Sequence, residues 1–183
     1  MVPNTNGALL LGVTSDPGTQ LSRIAQAIQS GHVKALIALG ENPLEAGITA
    51  EQLASLPAFI CMNLLENLST RFATALLPSA GFAEKRGSMI NGKGRLQRLN
   101  RAVRPPGQAR DDWEILRDLI QECSGQNGIY TIEEVFAQMA QSVPQFAGLS
   151  LSKIGDLGTQ IMEIADKSAR PESNKPESEK AAN

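Results

Sequence analysis

The chain has 183 residues, 42% of them hydrophobic and 20% charged, with 4% aromatic and a net charge of −2 at pH 7. That length suffices for one domain with a real core plus a tail, and the near-neutral balance excludes a globally basic nucleic-acid or membrane-surface binder. One histidine and two distant cysteines, Cys61 and Cys123, exclude a Cys/His zinc site or a cysteine-ligated iron–sulfur cluster built by this chain alone.

In chain order, the first 13 residues lack a basic flank, and their apolar run is far too short to span a bilayer. No other stretch is long enough either, so the chain reads as cytoplasmic and without direct membrane insertion. Apolar side chains at Leu21, Ile24, Ala25 and Ile28 predict a helix over residues 21–30, capped by Asp16 or Thr19 and ended by Gly31. Residues 33–39 form a short apolar run closed by Gly40-Glu-Asn-Pro43, the pattern of a strand buried on both faces. Thr49, with Gln52 three residues on, starts a second helix that Pro57 ends. Residues 58–62 read as a second buried strand, 64–72 as a helix, and 75–77 as a third strand.

This alternation predicts an α/β fold with a doubly wound, mainly parallel sheet, followed by C-terminal helices and a disordered tail. Ligands in such sheets sit beyond the carboxyl ends of the strands, where Gly40–Pro43 and Asn63 lie.

Residues 76–116 are different: Gly81, Gly87, Gly92 and Gly94 punctuate what reads as a loop, and arginines recur at 95, 98, 101 and 104. Between residues 84 and 110, eight Lys/Arg stand against the single acid Glu84, a local charge of +7 that leaves −9 for the rest of the chain. Arg95, Arg98, Arg101 and Arg104 are candidate docking groups for an acidic neighbouring subunit or an anion; the plainer alternative is a solvated face, or arginines that clasp the chain's own acids. Nucleic acid is disfavoured as a partner, because no aromatics interleave the bases. Asn91-Gly-Lys-Gly94 has neither P-loop nor GxGxxG spacing.

Asp111 and Asp112 predict a helix start, with the helix running to Gln121 and a loop at 125–128. Thr131 and Glu134 start another helix that ends near Gln141, before Pro144; residues 150–158 favour no element. From Lys167 onward no large apolar residue remains, which predicts disorder. The expected divisions are 1–122 for the α/β domain with its basic segment, 123–166 for a helical extension and 167–183 for the tail. No nucleophile–base pair stands out, and His32 reads as structural. Cys61 and Cys123 read as buried apolar thiols rather than as a disulfide.

Leu77-Pro78, Phe82-Ala-Glu84-Lys85, Gly87-Ser88, Asn91, Gly94-Arg95, Gln97, Pro106-Gly107, Ala109 and Asp112-Trp113 occur in one order. Together they resemble the pattern LP…FAEKxGT…NxEGRxQ…PxGxAxxDW of molybdopterin oxidoreductases. The most similar member is the large iron–sulfur subunit of NADH:quinone oxidoreductase, respiratory complex I. Asn6-Gly-Ala8 with Gly12, Leu39-Gly-Glu-Asn-Pro43 and residues 132–150 extend the likeness over roughly residues 6–158.

The resemblance implies a doubly wound domain within a larger subunit, acting as a non-catalytic structural and docking part of the complex I peripheral arm. Its partners would be other subunits of a respiratory oxidoreductase, which would hold it at the inner face of the cell membrane. It implies no cofactor in this chain, with iron–sulfur clusters confined to absent domains or partner chains. The alternative it implies is a molybdopterin guanine dinucleotide-binding module of a multi-chain molybdoenzyme such as a formate dehydrogenase, with Gly40 and Asn42 as contacts. Thr74 and Lys93 stand where the family pattern has an acid, and both changes remove negative charge from the basic segment.

Overall fold

A computed structural model describes residues 4–13, 20–126 and 128–163. The expected caps at Asp16 or Thr19 and the expected disordered tail from Lys167 lie outside these residues.

The fold is α/β with a parallel sheet, as the alternation predicts. Helix α1 (Thr5–Leu10) and helix α2 (Gln20–Gln29) precede strand β1 (Ala35–Leu39). Helix α3 (Ala50–Ala54) leads to β2 (Ala58–Asn63), and β3 (Ala75–Pro78) follows. The order β1-β2-β3 is parallel throughout, with Ala35 opposite Ala58 and Ile60 opposite Ala75. Gly31, at φ 73°, turns the chain out of α2. Thr49 caps α3 as expected: its hydroxyl accepts from the Gln52 amide at 3.2 Å, and the Gln52 side chain accepts from the Thr49 amide at 2.8 Å.

Alternation along the strands sends Leu36, Ala38, Phe59 and Cys61 to the face covered by α2 and α3, where they pack with Ile28, Leu53 and Leu56. The other face is less covered, contrary to the expectation of a β1 strand buried on both sides. Ile37 and Leu39 remain 49% and 46% exposed, because no described element of this chain is layered over them.

The helix expected over residues 64–72 shrinks to one 3₁₀ turn, Leu68–Phe72. Asn67 is the physical reason. Its Oδ1 accepts from the Ser69 amide at 2.9 Å and from the Ser69 hydroxyl at 2.6 Å, a local turn that competes with helix.

The basic segment holds a β-hairpin rather than a plain loop. Strands β4 (Gly87–Ile90) and β5 (Arg95–Leu99) pair antiparallel, with Ile90 opposite Leu96. The Asn91–Gly94 turn is built by Asn91, whose Oδ1 accepts from the Lys93 and Arg95 amides at 2.9 and 3.1 Å. Gly94 is required at φ 77°, since a Cβ there would run into the Met162 carbonyl oxygen.

Helix α4 (Asp112–Ser124), helix α5 (Ile132–Ser142) and the two-residue strand β6 (Thr159–Gln160) follow, β6 pairing with β5. Ile90 and Leu96 from the hairpin share one apolar core with Ile132, Phe136, Val143, Phe146, Leu151 and Ile154. Residues 150–158, which favour no element in sequence, thus supply a 3₁₀ turn and two core side chains.

Candidate functional site

The carboxyl ends of β1 and β2 open on a cleft of about 480 Å³. Gly40, Glu41, Asn42 and Glu45 line it from the segment after β1, and Asn63 lines it from the end of β2. Leu64, Leu65 and Glu66 continue the wall; the two leucines are 57% and 76% exposed. A second cleft of about 240 Å³ shares Asn63 to Glu66 and reaches Cys61, Thr70 and Pro78. Both therefore sit on the edge of the sheet where parallel α/β folds bind ligands.

Local chemistry explains how the cleft is held open. The Gly40 amide donates to the Met62 carbonyl at 2.8 Å, which ties the end of β1 to β2. Gly40 then adopts φ 69°, and nothing lies within 4 Å of where a Cβ would stand, so backbone is presented to the cleft without a side chain. Asn42 donates through Nδ2 to the Glu45 carboxylate at 2.9 Å. Because a carboxylate only accepts, that bond fixes which way the amide faces. It also leaves Asn42 Oδ1 buried with no hydrogen-bond partner. An unpaired buried acceptor costs about 1–3 kcal/mol. Asn63 Nδ2 donates to the Glu41 carbonyl at 3.4 Å, joining the two sides of the cleft. The structure thus brings the two sequence-stated contacts, Gly40 and Asn42, together with Asn63 at one cleft.

The four ladder arginines separate. Arg95 Nη1 donates to the carbonyls of Leu157 and Gly158 at 3.2 and 3.0 Å. Arg101 donates to Asp111 at 2.8 Å, and Asp111 is fully buried. Asp111 Oδ2 also accepts from the Arg86 amide at 3.1 Å, so its carboxylate closes the basic segment rather than capping α4 through its side chain. Lys85 pairs with Asp112 at 2.6 Å, and Arg110 pairs with Asp118 at 2.6 Å and with Glu114 at 3.6 Å. The Arg110 and Arg117 guanidiniums hold the Asp118 carboxyl below the usual carboxylate range, chiefly by hydrogen bonding. Arg98 and Arg104 are exposed and form no ion pair with another described residue. Of the four, only Arg101 clasps one of the chain's own acids; Arg95 is held by backbone carbonyls, and Arg98 and Arg104 lie on a solvated face.

The remaining sequence candidates are quiet. His32 is exposed and meets the Ser30 hydroxyl at 2.7 Å. Cys61 is buried, and its burial pushes the thiol above its usual range. Cys123 is exposed, correcting the expectation that both thiols are buried: it falls at the solvent side of the last turn of α4. Among the described residues no group of three or more His, Cys, Asp or Glu could hold a metal ion, and no helix is long and apolar enough to cross a membrane. Sequence reasoning missed the exposed Leu64–Leu65 wall because a helix was expected there.

A profile of the molybdopterin oxidoreductases matches residues 4–122. The alpha subunit of a formate dehydrogenase from Methanococcus maripaludis is 33% identical over 148 residues, 76% of this chain and 22% of that protein. The alpha subunit of an NADPH–Fe(3+) oxidoreductase from Geobacter sulfurreducens is 33% identical over 136 residues, 72% of this chain and 16% of that protein. The chain spans about a fifth of the length of these curated relatives. In structure it is similar to the acetylene hydratase of Pelobacter acetylenicus, with a TM-score of 0.53 and 19% identity over 71% of this chain and 19% of that one, a likeness of fold. The relatives correct the finer expectation: their names are those of formate dehydrogenases and an NADPH–Fe(3+) oxidoreductase, and none of them supports a complex I or quinone assignment.

Proposed function

The chain belongs to the molybdopterin oxidoreductase family, and from that premise we propose that it is the nucleotide-holding α/β module of a multi-chain molybdoenzyme of the formate dehydrogenase kind. The observation that carries this reading is the cleft at the carboxyl ends of β1 and β2, where Gly40 offers open backbone beside Asn42 and Asn63. A bound molybdopterin guanine dinucleotide supplies the redox-active metal centre. The residues of this chain bind and orient its nucleotide end. They fit that role in part: amides and an apolar wall are present, but no cation lines the cleft to meet a diphosphate. The redox step belongs to the assembled enzyme; this chain spans about a fifth of the relatives' length.

In this reading Arg98 and Arg104 dock on an acidic partner, while Arg95 and Arg101 hold the hairpin in shape. The partners are other subunits of the same oxidoreductase, and the assembly works in the cytoplasm.

The test is to purify the chain with its native partners and assay molybdenum, tungsten and the guanine nucleotide released from any pterin. Retention of the cofactor, reduced by the double variant Gly40→Val, Asn42→Ala, is the expected result. An assembly that is active yet contains neither pterin nor metal would overturn the proposal.

A further inference from the structure

The chain treats the two edges of its parallel sheet differently. At β3, Pro78 has no N–H to offer, its carbonyl accepts from the Arg110 amide at 3.1 Å, and the Ala80 amide donates to the Arg110 carbonyl at 2.8 Å. Arg110 thus closes the carboxyl end of that edge. At β1 the Lys34 carbonyl accepts from the Ala58 amide at 3.2 Å and the Gly40 amide donates to the Met62 carbonyl at 2.8 Å, so the even positions face β2. The N–H and C=O groups of Ala35, Ile37 and Leu39 therefore point outward, and no described residue bonds them. Strand β1, Ala-Leu-Ile-Ala-Leu, carries no charge, proline or bulge, the devices that keep an edge from pairing. With Ile37 and Leu39 49% and 46% exposed beside it, this edge is a template for another strand.

We propose that β1 pairs antiparallel with β1 of a second copy of this chain, across a twofold axis at Ile37, joining the two parallel sheets into one. The proposal goes beyond the cofactor reading and does not depend on it. Register selects this occupant first. With Ile37 opposite Ile37 of the second copy, Ala35 meets Leu39 and Leu39 meets Ala35, so every outward position meets an outward position and about six backbone hydrogen bonds form. Charge selects it second. Lys34 precedes the strand and Glu41 follows it; both are exposed and neither forms an ion pair with a described residue. Antiparallel pairing sets Lys34 of each copy beside Gly40 and Glu41 of the other, whereas parallel pairing would set lysine beside lysine. A twofold contact also consumes both edges, so association stops at a dimer.

Sedimentation of the full chain between about 10 µM and about 1 mM should show a monomer–dimer equilibrium with Kd on the order of 100 µM, the weak end expected of so small a contact. Across that range hydrogen exchange should slow about threefold or more at the Ala35, Ile37 and Leu39 amides and stay constant at Leu36 and Ala38, which face β2. Lys34→Glu and Glu41→Lys should each weaken self-association about three- to tenfold at low salt, because like charges then meet at both ends of the pairing. Mixed together, these two variants should pair with each other about as tightly as the parent pairs with itself, an outcome that misfolding cannot produce. A chain that stays monomeric at about 1 mM, a dimer whose Ala35, Ile37 and Leu39 amides exchange as in the monomer, or two variants that fail to pair with each other would each overturn the inference. Protection of those amides by a different subunit in the purified enzyme would overturn it too, and would give the edge to that subunit.

Discussion

The two sheets of this molecule are finished to different degrees. The antiparallel hairpin β4–β5 satisfies itself: Ile90 and Leu96 are buried against α5, and two of the four ladder arginines end on the chain's own carbonyls or carboxylate. The parallel sheet has one sealed face and one on which Ile37 and Leu39 stay half-exposed, and its carboxyl edge leaves Asn42 Oδ1 unpaired. One sheet is closed by the chain itself, whereas the other leaves polar and apolar groups unmatched at its exposed face and carboxyl edge.

That contrast can be broken at several strengths. The largest effect should come from truncating the hairpin core: Phe146→Ala empties a fully packed site beside Phe136, whose ring centroid is 5.8 Å away, and should cost about 3–5 kcal/mol in urea unfolding. Asp111→Ala should follow at about 2–3 kcal/mol, because it leaves Arg101 and the Arg86 amide without their acceptor. Equal stability of this variant and the parent would show that the buried carboxylate does not close the segment.

Glycine substitutions should then separate the two sheets directly. Gly94→Ala combines a left-handed φ with a clash against the Met162 carbonyl and should lower stability by about 1–3 kcal/mol. Gly40→Ala meets nothing within 4 Å and should cost about 1 kcal/mol or less, while lowering nucleotide affinity. The reverse ranking, measured by thermal unfolding, would invert the comparison.

The smallest effect is electrostatic. The folded-state pKa of Asp118 lies below its ordinary value, so its pairing stabilises the protein above the unfolded carboxylate range and loses that contribution as pH falls through the folded value. The pair is 39–44% exposed, so the difference between parent and Asp118→Asn should stay under about 1 kcal/mol at pH 7 and vanish at low pH.

The parallel sheet was legible because its strands are short apolar runs between strong punctuation, Gly40 through Pro43 on one side and Pro57 on the other. The capping boxes at Thr49 and Thr131 were legible for the same local reason. The hairpin was not, because its strands carry no clean period of two: Gly87-Ser-Met-Ile90 does not alternate, and Leu96 and Leu99 stand three apart, so the Asn91-Gly-Lys-Gly94 turn had no strand pattern on either side. The ladder's division into internal and free arginines depended on tertiary partners as remote as Gly158, which no local pattern reveals. Gly40 and Asn42 followed from topology, whereas the exposed leucine pair beside them depended on Asn67 arresting a helix.

The closure of the hairpin sheet by β6 has a consequence for the order in which the molecule assembles. Arg95 reaches a carbonyl 63 positions away, so that edge forms only after a long stretch of chain has been gathered, at an entropic disadvantage that nearer pairings do not face. The amides of Ile161 and Met162, which both donate to the Gly94 carbonyl, should therefore exchange with deuterium among the earliest of the ordered backbone.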